Sequence, residues 1–261
     1  MTTKLYALPL VSMRFKPIWQ RHFLVWRKLA VTSILGSLAD PLIYMLGLGY
    51  GLGSVLPQMG GISYLLFVSG GTLCYSTMNS ATFEALYSGF SRMHVQRTWD
   101  AILNTPVTLD DIVLSEILWA ASKSLMSGIA VLMVIWMLGM AHTWLSLWTI
   151  PLTLLAGLCF AALGLIITAL APSYDFFMYY FTLLITPMMM LSGVFFPVAL
   201  LPAVLQKASA VLPLTHTIDL VRPLLNGTIP EDIALHLAVI LAYTLTAFYL
   251  SLVLFRKRLS R

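Results

Sequence analysis

The 261-residue sequence predicts an all-α membrane protein with six transmembrane helices, and three observations carry that prediction. Hydrophobic residues make up 59% and charged residues only 10%, against about 25% charged in an ordinary soluble domain. That scarcity excludes a soluble enzyme, a disordered tail and a nucleic-acid-binding module, all of which need a charged surface. Apolar residues run continuously for roughly 20 positions at a time, enough to cross a ~30 Å hydrocarbon core as helices. Lipid offers the backbone no hydrogen-bond partners, so such runs are helical. Finally, thirteen of the fifteen basic residues fall on one side of the resulting topology.

Residues 1–29 are basic, with Lys4, Arg14, Lys16, Arg21, Arg27 and Lys28 and no acid. No short apolar core with a small-residue cleavage site follows, so no cleavable signal peptide is expected. Within this stretch, 12–29 reads as an amphipathic interfacial helix. Phe15, Ile18, Trp19, Phe23, Trp26 and Leu29 share one face, and basic residues are available for headgroups. An anchor and a lever to the first span both fit that pattern.

The transmembrane domain, 30–255, holds spans at about 30–52, 62–84, 116–139, 145–171, 176–197 and 232–255. Residues 256–261 form a short basic tail. The positive-inside rule puts both termini and the 85–115 loop in the cytoplasm, the two-termini placement agreeing with an even number of spans. In the first span Gly47/Gly51 and Gly49/Gly53 have a spacing that permits close helix approach. Prolines 197, 202, 213, 223 and 230 cut the outer segment 198–231 into pieces near 199–211 and 215–226, too short to span. These read as re-entrant helices, either a cap over a pathway or a plug within the bundle.

Covalent chemistry is not expected. None of the six lysines follows glycine, so no nucleotide-binding P-loop is present. The five histidines are scattered, with no metal-ligand spacing, and Cys74 and Cys159 sit in apolar stretches. Neither a metal nor a cofactor is expected on this chain. Ionisable groups in mid-membrane mark ion pathways. Asp40, beside Pro41, is the deep candidate, either a gating residue or a satisfied carboxylate. Glu84, Asp175 and Lys123 are expected to reach cytoplasmic water, the lysine by snorkelling. Met188, Met189, Phe195 and Phe196 in the fifth span read as packing or as an adaptable apolar passage.

The inner segment EALYSGFSRMHVQRTWDAILNTPVTLDDIVLSE, 84–116, is too polar for the bilayer. Arg92, Gln96, Arg97, Trp99 and Asp100 crowd one stretch. Thr108, three residues before Asp111, reads as an N-cap, and Thr105-Pro106 breaks the chain before it. The pattern is a short helix, a break, and a helix entering the membrane, suited to docking a cytoplasmic partner.

Two blocks then resemble a known family. The inner block just quoted and the outer block LSGVFFPVALLPAVLQKASAVLPLTHTIDLVRPLLNG, 191–227, are similar to the membrane subunit of ABC-2 type exporters. The outer pattern is Ser192-Gly193, Phe196-Pro197, Leu201-Pro202, Leu212-Pro213-Leu214-Thr215, Asp219, Arg222 and Gly227. Arg92-Met93, Gln96-Arg97-Thr98-Trp99, Ile102-Leu103, Asp111–Leu114 and Glu116 narrow the resemblance to the nodulation-protein J branch of that family. The resemblance implies a type V exporter-like homodimer in the bacterial inner membrane. It also implies two copies of a separate ATPase subunit, nodulation-protein I-like, that bind ATP and Mg. It implies that Arg92–Asn104 is the coupling helix, 12–29 the connecting helix and 198–229 the re-entrant helices, with the second and fifth spans lining the pathway. The branch is associated with export of lipo-chitin oligosaccharides, so the implied cargo is an amphipathic, lipidated glycan. Export of another hydrophobic compound is the alternative, and an ion-coupled carrier using Asp40 a more distant one.

Overall fold

The structure, a computed structural model, describes residues 5–56, 58–59, 61–141 and 143–259. Lys4, His142 and Arg261 lie outside them. Helix α1 (Phe15–Arg27) leads into α2 (Ala30–Ser54), a small hairpin of β1 (Gln58–Met59) and β2 (Ile62–Ser63), and α3 (Tyr64–Phe83). Helix α3 continues through π-helical turns to Val95. Then come the short α4 (Thr98–Leu103), α5 (Leu109–Met137), α6 (Trp144–Leu170) and α7 (Phe176–Leu191). The outer segment folds as α8 (Ala203–Ser209) and α9 (Pro213–Asn226), and α10 (Ile233–Leu259) closes the chain.

Among the described residues, α2, α5, α6 and α10 are long and apolar enough to cross a membrane, while α7 is a shorter apolar helix. The predicted second span, α3, is rich in Ser, Thr and Gly. It tolerates them because it is enclosed by its neighbours and its hydroxyls turn back onto its own backbone. Thr72 and Thr77 donate to Val68 and Leu73 carbonyls at 2.7 and 2.9 Å. Bundle burial thus substitutes for side-chain apolarity.

Several expectations shift. Pro41 does not break α2, which runs through it into a π-helical turn at Ile43–Leu48. Another π-turn, Phe181–Ile185, precedes Pro187; such turns absorb interruptions of the helical hydrogen-bond ladder. The basic 256–259 stretch is still helix and not a free tail. Arg256 is buried against Asp110, 2.6 Å from Nη2 to Oδ2, and also donates to the Ala7 carbonyl at 2.6 Å. Leu10 N–H donates to the same Asp110 at 2.9 Å, so both ends of the chain meet at the start of α5. That junction fixes the two termini at one end of the bundle.

Within the outer block α9 packs into the bundle as a plug, whereas α8 lies exposed, with Val204 and Leu205 open. Leu214, Ile218, Leu220, Val221 and Leu225 of α9 are buried. Its glycines have steric reasons. Gly193, at φ +80°, turns the chain after α7, and a Cβ on the facing Gly71 would lie 2.3 Å from the Val194 carbonyl oxygen. Of the first-span glycines, Gly49 lies against Leu65, whereas Gly47 and Gly51 have no neighbour within 4 Å. The Gly49/Gly53 pair therefore packs within the chain and the Gly47/Gly51 pair faces outward. Gly71→Val should lower stability by roughly 1–3 kcal/mol through overpacking against backbone, whereas Gly47→Ala should not lower it. Thermal unfolding of the two variants in the same detergent checks this contrast.

Candidate functional site

The inner end is organised by four charged side chains that the sequence spreads over 40 positions. Glu84, at the end of α3, accepts hydrogen bonds at Oε1 from Arg92 Nη1 and Trp119 Nε1, both 2.9 Å. Its Oε2 accepts from Lys123 Nζ at 2.8 Å and Ser88 Oγ at 2.9 Å. Glu116, on α5, accepts from Arg92 Nε and Nη2 at 3.0 and 2.5 Å and from Trp99 Nε1 at 3.1 Å. Both carboxylates are buried. Two acids face two bases, so the cluster is neutral and its oxygens are fully engaged, the condition under which buried charge is tolerated. The guanidinium of Arg92 bridges both acids, and they hold its pKa above the ordinary arginine range.

This arrangement corrects the sequence expectation. Glu84 is buried, and Lys123, a quarter exposed, pairs with it. Glu84 and Glu116 are enclosed carboxylates, as are Asp110 and Asp111 at the start of α5, while Asp40 is exposed along the open face of α2. Asp175 is exposed at the inner turn, as expected. The sequence gives little sign of Glu116's burial or of His22, whose Nε2 lies 3.4 Å from Glu116 Oε1. His22 and Glu116 belong to segments about a hundred residues apart that only tertiary packing joins.

The docking stretch divides. Arg92 ends the long α3 continuation, whereas Trp99 belongs to α4, and Arg97 between them adopts a left-handed conformation at φ 49°. Arg92–Asn104 is therefore not one helix. Gln96, Arg97 and Asp100 are exposed, while Trp99 is 1% exposed and stacks near Phe255. Thr108 and Asp111 form a reciprocal capping box, so α5 begins a turn and more before the predicted span. Helix α1 packs on α5 through Ile18, His22, Trp19 and Trp26, the latter two edge-on to Trp119. This is a docked element and not merely a lipid anchor.

At the other end, Arg222 donates to the Phe67 and Gly193 carbonyls at 3.3 and 2.6 Å and lies over the Phe67 ring. Pro213 opens α9 at its first turn, Pro202 caps α8, and Pro197 precedes a 3-10 turn. Asp219 is exposed. His216 and His236, distant in sequence, meet with Nδ1 atoms 2.7 Å apart. Among the described residues, no three His, Cys, Asp or Glu side chains converge to hold a metal. Met188 and Met189 are packed in the core; Phe195 packs on Tyr44, and Phe196 is half-buried.

Two cavities flank the charge cluster. An inner cleft of about 420 Å³ lies between α1 and the inner ends of α3 and α5, lined by His22, Trp26, Glu84, Tyr87, Arg92 and Trp119 among others. A groove of about 260 Å³ lies toward mid-bundle between α2, α3 and α5, lined by Ser37, Asp40, Asn79, Ser80, Lys123 and Ser127 among others.

The sequence profile described as ABC-2 type transporter matches residues 13–226, which contain this inner cluster and almost all of the outer block. The chain belongs to the ABC-2 type transporter family. It is 47% identical to Nodulation protein J of Rhizobium meliloti (strain 1021) over 259 residues, covering 98% of both chains. It is 46% identical to Nodulation protein J of Rhizobium leguminosarum bv. viciae, again over 98% of both. A more distant relative is the Inner membrane transport permease YadH of Escherichia coli (strain K12), 26% identical over 78% of this chain and 79% of that one. The protein is thus an ABC-2 permease, a transport subunit, and the resemblance read from its inner and outer blocks holds.

Removing one partner of the cluster should be severe. Glu116→Ala strands the Arg92 charge and should destabilise the permease by about 3–5 kcal/mol, seen as loss of the folded peak in detergent. A milder prediction concerns His94, which Arg258 Nη2 approaches at 2.6 Å. Burial and the Arg258 charge depress the His94 pKa. A depressed pKa means stability present above about pH 6.5 and lost as pH falls. The inner amides of helix α10 should therefore show lower protection factors, corrected for the base-catalysed intrinsic exchange rate, at pH 5.5 than at 7.5, and His94→Gln should reduce that difference.

Proposed function

We propose that this permease moves an amphipathic, lipidated glycan across the bacterial inner membrane, driven by a separate ATPase subunit that binds ATP and Mg. The functional unit is a homodimer carrying two copies of that ATPase. All six predicted helices cross the bilayer, and both termini face the cytoplasm under the positive-inside bias. The observation that carries the reading is the build of the inner end. Gln96, Arg97 and Asp100 form an exposed polar edge directly above buried Trp99 and Arg92, which are bonded to α3 and α5 through Glu84 and Glu116. A push on the edge is thereby transmitted to two spans through short, charge-assisted contacts.

The sites divide accordingly. Gln96, Arg97 and Asp100 touch the ATPase, while Arg92 and Trp99 position them. The outward Gly47/Gly51 face of α2 offers a surface where a second copy can approach closely. The glycan cargo is supported by similarity to proteins named for nodulation and by the polar cavities at the inner half.

Gentle detergent extraction should copurify an ATP-binding subunit. Gln96→Ala with Arg97→Ala should release it or cut cargo-stimulated ATP hydrolysis at least tenfold while the permease stays folded and dimeric. Full hydrolysis and transport in that variant would remove this edge from the docking surface.

A further inference from the structure

The inner cleft and the mid-bundle groove are separate cavities that share one wall. Glu84 lines the cleft and Lys123 lines the groove, and the two side chains meet at 2.8 Å. Trp26 lines the cleft and Ser33 the groove, and the indole Nε1 donates to the Ser33 hydroxyl at 3.1 Å. Two side-chain contacts therefore stand at the boundary between them.

The chemistry of the two linings is complementary to one ligand class. The cleft offers aromatic faces, Trp26, Trp119, Tyr87 and Tyr174, interleaved with Glu84, Arg92, Ser88 and Gln96. The groove offers hydroxyls and an amide: Ser33, Ser37, Ser76, Ser80, Ser127, Tyr75 and Asn79, with Asp40 at its edge. A bundle core has no packing reason to gather so many neutral hydrogen-bonding groups around empty space at membrane depth. A sugar chain uses both kinds of surface, since its apolar ring faces stack on aromatics and its hydroxyls both donate and accept. Each lining holds both signs of charge, Glu84 with Arg92 in the cleft and Asp40 with Lys123 in the groove, as suits an uncharged polar ligand, and an acyl chain would leave the hydroxyls without partners. Beside the groove, α2 exposes Leu35, Ile43 and Leu46 to the bilayer, where an acyl chain is at home.

We infer that cleft and groove are two halves of one polar track for the sugar portion of the cargo, closed between them by the Glu84–Lys123 and Trp26–Ser33 contacts. The sugar occupies the cleft first and passes into the groove when these contacts part, while its acyl chain stays in lipid along α2. This inference rests on the glycan reading above and adds to it the residues that hold the sugar.

The test uses the full chain in nanodiscs with three labelled probes: N-acylated chitotetraose, chitotetraose and palmitate. Asn79→Leu in the groove and Tyr87→Ala in the cleft should each weaken binding of both saccharides about tenfold, some 1.4 kcal/mol, and leave palmitate binding unchanged. Asn79→Gln and Tyr87→Phe, which keep the amide and the ring, should restore it. An unchanged thermal unfolding midpoint in the same nanodiscs shows that the variants are folded. Saccharide binding by the wild type that both Asn79→Leu and Tyr87→Ala leave intact would overturn the track while the glycan cargo stands. Palmitate binding with no saccharide binding by the wild type would overturn the glycan cargo and the track together.

Discussion

The inner half of this permease depends on a neutral knot of charge: Glu84 and Glu116 against Arg92 and Lys123, tightened by two indole N–H groups. Each carboxylate has its oxygens occupied, so neither charge is left to low-dielectric surroundings. The knot ties α3 to α5 and seats α4 on both. It also forms one wall of each cavity, so the ties between helices and the cavity linings share the same side chains.

A second junction closes the same end. Asp110 binds Arg256 from the last helix and Leu10 from the N-terminal segment, and Asp111 binds Ser12 while completing the α5 cap. Arg258 caps the carbonyls of Thr168, Ala169 and Ala171 at the end of α6. The positively charged ends are thus structural clasps as well as orientation signals. The outer half is held differently, by close backbone approach at Gly71 and Val194 and by a single arginine shared between Phe67 and Gly193. One end is stitched by charge and the other by shape, which suits a machine driven from the charged side.

Much of the architecture was legible because bilayer constraints act on local sequence. Length and apolarity marked α2, α5, α6 and α10, and Thr108 with Asp111 marked the start of α5. Proline spacing anticipated α9 nearly to its ends, whereas α8 is shorter than the expected 199–211 piece, which also holds a 3-10 turn. The site was less legible. Lys123 read as a snorkelling lysine and Asp40 as the deep acid, because one-dimensional position reports depth but not the neighbouring helix. Trp99 read as a docking residue because a tryptophan among charges resembles an interface, whereas its indole N–H serves Glu116 from inside.

By itself, then, the sequence determined which segments are helical, which end is basic and which family the inner and outer blocks resemble, since these follow from runs, counts and motifs along the chain. Only the tertiary structure decided which charges are paired, that His216 meets His236, and that two polar cavities share the Glu84–Lys123 wall. The physical reason is distance along the chain: hydropathy and capping act over a few residues, whereas an ion pair forms only where packing brings two helices together.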